Sequence, residues 1–104
     1  MLKLKPNPTF TASVSIPIPG SDPAKVSLVF KHMNRPEFEA FMRGEAAAER
    51  SDLDTVMAIV VGWSGVESEF SRDAMRDLLD NYHGARRAIS ERYAMELVLG
   101  KQGN

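Results

Sequence analysis

Asp73, Asp77 and Asp80 are the residues best spaced for chemistry in this chain. Three or four apart on a helix, they share a face, and a hard divalent cation takes such oxygens. Arg72 and Arg76 are interleaved with them, so the acids have cations within one turn. The set therefore reads as a solvated, charge-paired face and not as a metal site. His32 and His83 are the only histidines, one at an expected strand end and one in an expected turn. They form neither an HExxH pattern nor a pair at ligand spacing, so no metal is predicted. With no cysteine there is no thiolate nucleophile, disulfide or thiolate metal site. The serines lie in no nucleophile-elbow pattern and have no histidine placed to activate them. Gly62 and Gly65 belong to no phosphate-cradling loop, since no Gly-Lys-Ser or Gly-Lys-Thr is present. The residues thus predict no enzyme and no cofactor.

A second set, Arg86, Arg87 and Arg92, makes a small basic patch on the last expected helix. It lacks an aromatic platform and is offset by Glu91 and Glu96, which argues against nucleic acid. A protein partner with an acidic surface accounts for it. Six methionines are many for 104 residues. Most fill a core, but the flexible thioether also suits surfaces that adapt to a partner.

Positioning these residues falls to a single domain, as the length allows. Hydrophobic residues are 43% and charged residues 26%, an ordinary globular balance. The net charge of −1 gives no electrostatic case for nucleic acid or an anionic membrane. MLKLKPNPTF has lysines but no apolar stretch after them, so no signal peptide is predicted. Residues 57–61, MAIVV, are too short to span a bilayer.

Residues 1–9 read as a flexible tail, with Pro6 and Pro8 opposing regular structure. From Phe10 the chain alternates, with Phe10, Ala12, Val14, Ile16 and Ile18 on one side. Period two predicts a strand with one buried face, and Pro17 and Pro19 put its end at a sheet edge. PGSDP is turn material, and Val26, Leu28 and Phe30 resume the alternation, giving a β-hairpin over 10–32. Such a hairpin must pack on helices or on another subunit. A helical part spans 34–99. Asn34, Pro36 and Glu37 carry a capping-box start. Gly44 weakens that helix. Ser51 caps the next, whose buried face runs Leu53, Val56, Met57, Val60 and Val61 until Gly62 stops it, with Trp63 anchoring the turn. Ser71 caps a third, with Phe70 and Met75 spaced as a hydrophobic staple. Ala85, Ala88, Ile89, Tyr93 and Leu97 line a fourth, and residues 100–104 are a second flexible tail. The expected class is α+β, an N-terminal β-hairpin followed by a bundle of about four α-helices.

The order of parts from Val60 to Leu97 resembles the tail assembly chaperones of long-tailed bacteriophages. Those parts are an aliphatic run, Gly62-Trp63, Gly65-Val66, Phe70-Ser71, Leu78-Leu79-Asp80, Tyr82-His83-Gly84-Ala85, and a helix with Ala88-Ile89 and Tyr93. The likeness is strongest from Leu53 to Tyr93, and the hairpin and first helix share it. His83 departs from it, standing where many relatives have proline before Gly84, which bears on the turn's geometry.

This resemblance implies a non-catalytic protein that binds the tape measure protein in the host cytoplasm. It gives way as the major tail (tube) protein polymerises, self-associates, and is absent from the mature virion. It implies no nucleic acid and no membrane as partners. In related phages a longer form arises by −1 ribosomal frameshifting, and Leu99-Gly100-Lys101 can be encoded through the slippery run GGGAAAG. The competing expectation is a structural tail or head–tail connector protein, which would be found in purified particles. A small DNA-binding regulator is a third, disfavoured by the acidic balance. Trp63, Phe70 and Tyr82 are expected to hold the fold. Arg86, Arg87 and the exposed edge near Ile16 and Ile18 are the candidate partner or oligomer contacts.

Overall fold

A computed structural model describes residues 1–100. The order is β1 (Thr9–Ile18), β2 (Ser21–Lys31), α1 (Arg35–Met42), α2 (Gly44–Glu49), α3 (Asp52–Ile59), β3 (Val60–Ser64), α4 (Arg72–Asn81) and α5 (Ala85–Leu99). Of the tail expected over 100–104, Gly100 caps α5, its N–H donating to Glu96 O, and residues 101–104, Lys101 among them, lie outside the described residues.

β1 and β2 pair antiparallel, and the alternation does what period two requires. Ala12, Val14 and Ile16 are buried, while Thr11, Ser13 and Ser15 are exposed. The turn is tighter than the five-residue stretch expected from the sequence. Gly20, at φ +75°, reverses the chain so that Ile18 faces Ser21 across a two-residue connection. Pro17 sits inside the strand at a register shift between Ile16 and Ile18. The strand tolerates it because β1 is an edge strand in the order β1-β2-β3.

The expected α+β class and the N-terminal hairpin are present, but the hairpin is two-thirds of a three-stranded sheet and the helices number five among the described residues, in place of a bundle of about four. Val60–Ser64, read from sequence as the end of a helix and a turn, is β3, antiparallel to β2 with Phe30 opposite Val60 and Leu28 opposite Trp63. The helix ends at Ile59, and Val60 is already extended at φ −107°, ψ 128°. Val60 points into the core, whereas Val61, expected on a buried helical face, lies at a register shift and is 48% exposed. Adjacent β-branched residues favour this switch, and the partner that fixes it is β2, remote in sequence.

The caps read from sequence are present. Asn34 Oδ1 accepts from the Glu37 N–H at 2.9 Å, and Glu37 Oε1 accepts from the Asn34 N–H at 2.9 Å. Ser51 and Ser71 accept from Asp54 N and Ala74 N, each at 3.0 Å. Gly44 breaks the chain outright at φ +83°, and a short α2 follows. Arg50 then fastens α1 to α3. Its Nη2 donates to Phe41 O at 2.6 Å, its Nε donates to Thr55 Oγ1 at 3.2 Å, and its guanidinium lies 3.8 Å from the Phe41 ring centroid. Asn34→Ala removes a side-chain acceptor from the first turn of α1 and should cost about 1 kcal/mol in urea denaturation. A loss below experimental error would mean that water serves the cap as well.

α5 packs along β1, and α3 sits against β2, β3, α4 and α5. The core joins Val14, Ile16, Leu28 and Phe30 of the sheet to Val56, Ile59, Met75, Ile89 and Tyr93 of the helices. At one end Tyr93 closes a group of rings with Phe10, Phe30 and Phe38, at centroid distances of 5.9, 5.2 and 6.0 Å. Its hydroxyl donates to Lys31 O at 2.7 Å, so the helix is tied to the last residue of β2.

Candidate functional site

A surface groove of about 570 Å³ opens at the hairpin-turn end of the sheet. Its floor is apolar: Ile16 and Ile18 from β1, Ala24 and Val26 from β2. One wall is a single face of α4, with Ala74, Leu78 and Tyr82 one or two turns apart. The other wall is the loop from Gly65 to Ser68. Gly65 takes φ +86° there, and a Cβ on it would lie 3.5 Å from Lys25 O, so the loop lies directly on β2. Trp63 fixes the loop: its indole Nε1 donates to Ser68 O at 2.8 Å, and its ring meets Phe70 edge-on at 5.2 Å.

The rim is acidic. Glu67 and Asp77 are the charged residues of the lining, both exposed. Their carboxylates enter no salt bridge among the described residues. Apolar floor and anionic rim together suit an apolar segment that carries positive charge.

The sequence-derived candidates divide between two places. Ile16, Ile18 and Tyr82 come together in this groove, and Trp63 and Phe70 hold its wall. The Ile16 side chain is not at an exposed edge as expected. It is 2% exposed and belongs to the core, because the alternation of β1 turns it inward, while Ile18 is half-buried at the groove's end. Arg86 and Arg87 lie elsewhere. Arg86 reaches Asp52 at 3.5 Å and borders a smaller groove of about 210 Å³ with Phe41, Arg50 and Tyr93. Arg87 pairs with Glu91 at 2.7 Å, which holds its guanidinium pKa above the usual range. Arg92 pairs with Glu96 at 3.4 Å, the least exposed of these pairs. Each arginine of the expected basic patch thus has its own acid.

Of the three acids of α4, Asp73 alone enters a salt bridge among the described residues. Asp73 pairs with Arg76 at 2.9 Å, and Arg72 reaches across to Asp54 at 2.6 Å. That contact, with help from the Ser51 hydroxyl, holds the Asp54 carboxyl below the usual carboxylate range. Among the described residues no group of three His, Cys, Asp or Glu side chains could hold a metal ion. Among them, too, no helix is long and apolar enough to cross a membrane. Glu67 and Asp77 were not legible as a pair from sequence. They are 10 positions apart and line one groove because the Gly65 loop folds back over β2.

The profile of the family described as phage tail assembly chaperone matches residues 1–104, the whole chain. The chain belongs to that family. No curated protein and no solved structure matches it. In this member of the family the acid-rimmed groove is a concave, largely apolar surface. The exposed methionines Met42 and Met95 add adaptable apolar surface, whereas Met75 is core.

Proposed function

We propose that this chain binds the tape measure protein of its phage and helps recruit the major tail (tube) protein during tail morphogenesis. The match to the tail assembly chaperone family over all 104 residues carries the reading. The chain acts in the host cytoplasm, performs no catalytic step, and is released before the particle is complete. Many copies, each weakly bound, cover a long helical partner and keep its apolar faces from aggregating. Self-association and avidity hold the coat together without permanent capture. As tube subunits polymerise, each displaced copy costs only one weak contact. A frameshifted longer form would carry the same domain, and mass spectrometry of the expressed gene products would reveal it.

Co-expression with the tape measure protein from the same genome tests the reading. The expected result is a soluble tape measure protein that co-purifies with this chain, and virions that lack the chain. A tape measure protein that stays insoluble, together with this chain in purified particles, would make it a structural tail or head–tail connector component instead.

A further inference from the structure

We infer that the acid-rimmed groove of one copy receives the N-terminal arm of a second copy, linking chains head to tail. The inference rests on the self-association in the proposed function and names the two surfaces that carry it.

The arm has the chemistry that the groove lacks. Residues 1–8 precede β1, and Leu2 and Leu4 are 91% and 96% exposed. Lys3 and Lys5 alternate with them. In an extended segment the leucines fall on one side and the lysines on the other. The groove offers apolar residues for the first and two unpaired carboxylates, Glu67 and Asp77, for the second. Lysine stems are long enough to pass along apolar surface and keep the ammonium at a rim. Lys3 is held only by Asn7 of its own arm, at 2.9 Å between exposed groups.

Reach decides which copy the arm enters. The chain is already held at Pro8, whose carbonyl accepts from His32 N at 2.9 Å, and the nearest floor residue, Val26, lies level with Val14, about 20 Å along β1 from Pro8 at the rise of a strand. Leu4 lies four positions before Pro8 and Leu2 six, so they extend at most about 14 Å and about 22 Å from it. Even with the chain doubled back, Leu4 falls short of the arm's own groove and Leu2 reaches only its near end, so a groove that takes both leucines must come from a second copy. Arm and groove are different surfaces, so the contact is heterologous. It builds rings if the rotation closes and open chains if it does not.

Sedimentation of the full chain over a concentration series tests this, with thermal melting to show that each variant is folded. The wild type should form species larger than a monomer. Leu2→Ser with Leu4→Ser should weaken association at least about a hundredfold, as the loss of two buried leucines implies. Lys3→Glu with Lys5→Glu, or Glu67→Lys with Asp77→Lys, should each weaken it about tenfold or more. Combining all four charge reversals should restore it. All six positions are exposed, so the fold is not at stake. Mixing the leucine variant with the Glu67→Lys, Asp77→Lys variant should give dimers that stop there, since one arm and one groove survive. Association that persists unchanged in both variants would overturn the arm contact while leaving self-association in place. A wild type that stays monomeric throughout would overturn both. If that monomer lost the tape measure protein on Glu67→Lys and Asp77→Lys substitution, the groove would belong to the partner and not to the arm.

Discussion

Tyr93→Ala should destabilise the protein by about 3–5 kcal/mol, the range for removing a large buried aromatic side chain. Tyr93 is 1% exposed and touches the rings of Phe10, Phe30 and Phe38, so the lost volume opens between β1, β2, α1 and α5 at once. No neighbour can fill it cheaply, because Phe10 and Phe30 are fixed opposite each other in the sheet register. A domain of this size has a margin of roughly 5–15 kcal/mol, so this one change removes a large part of it. Urea or thermal unfolding reads the effect, and a loss under about 1 kcal/mol would mean that the rings do not pack as described.

Tyr93→Phe separates the ring from the hydroxyl. It keeps the stacking and gives up the 2.7 Å bond to Lys31 O, leaving that carbonyl to find water. The expected cost is about 1–2 kcal/mol. The same variant has a pH signature. Burial, with the Glu37 carboxylate adding to it, pushes the Tyr93 phenol up to about 12 from an ordinary 10.0. The folded state holds this proton more tightly than the unfolded chain does. The associated stability is therefore complete below pH 10 and is lost as pH rises through 10 towards 12. Over two pH units one proton corresponds to roughly 2–3 kcal/mol. The wild type should lose stability across that window relative to Tyr93→Phe, whose difference curve has no such step. Parallel curves for the two proteins would show that the phenol is solvated.

What was legible in the sequence is what local chemistry fixes. Asn34, Ser51 and Ser71 mark helix starts because a side-chain oxygen three residues before an orphan N–H has little else to do. The faces of β1 and β2 follow from strict alternation, which tolerates no slip of one residue. Val60 and Val61 were misplaced for the complementary reason. The run from Met57 to Val61 is apolar throughout, so neither helical nor strand period is marked in it. Its state is decided by Phe30 and Leu28, some 30 residues earlier, which offer β3 an open edge of β2. The groove was half legible: Ile16 and Ile18 stood out by pattern, as did Tyr82. Its rim did not, since Glu67 and Asp77 are brought together by the fold. Tyr93 was legible as one member of a helical stripe but not as the meeting point of four rings.

Gly84→Ala should cost about 1–3 kcal/mol, the usual range for overpacking a well-filled site. Nothing in the backbone demands glycine there, since φ −87° and ψ −2° suit any residue. The demand comes from the other side of the contact. A Cβ at Gly84 would lie 2.9 Å from Cγ, 3.3 Å from Cβ and 3.4 Å from Cδ of Pro17. A proline ring has no rotamer that swings clear, so either the start of α5 or the end of β1 must move. This is where the sequence reading met His83 in place of a relative's proline. The tight feature of that turn is Gly84 against β1, while His83 is exposed. Pro17→Ala should recover part of the loss in the Gly84→Ala background, giving a coupling energy in a double-mutant cycle that independent sites would not show. Gly62→Ala serves as the control, because its added Cβ meets Val29 at an ordinary 3.6 Å. If Gly84→Ala and Gly62→Ala prove equally mild, α5 is not seated on Pro17. If the first is costly and relieved by Pro17→Ala, the same displacement should also reach Ile16 and Ile18 on either side of Pro17. Arm binding in the groove would then weaken in Gly84→Ala although the substituted residue touches neither the arm nor the rim.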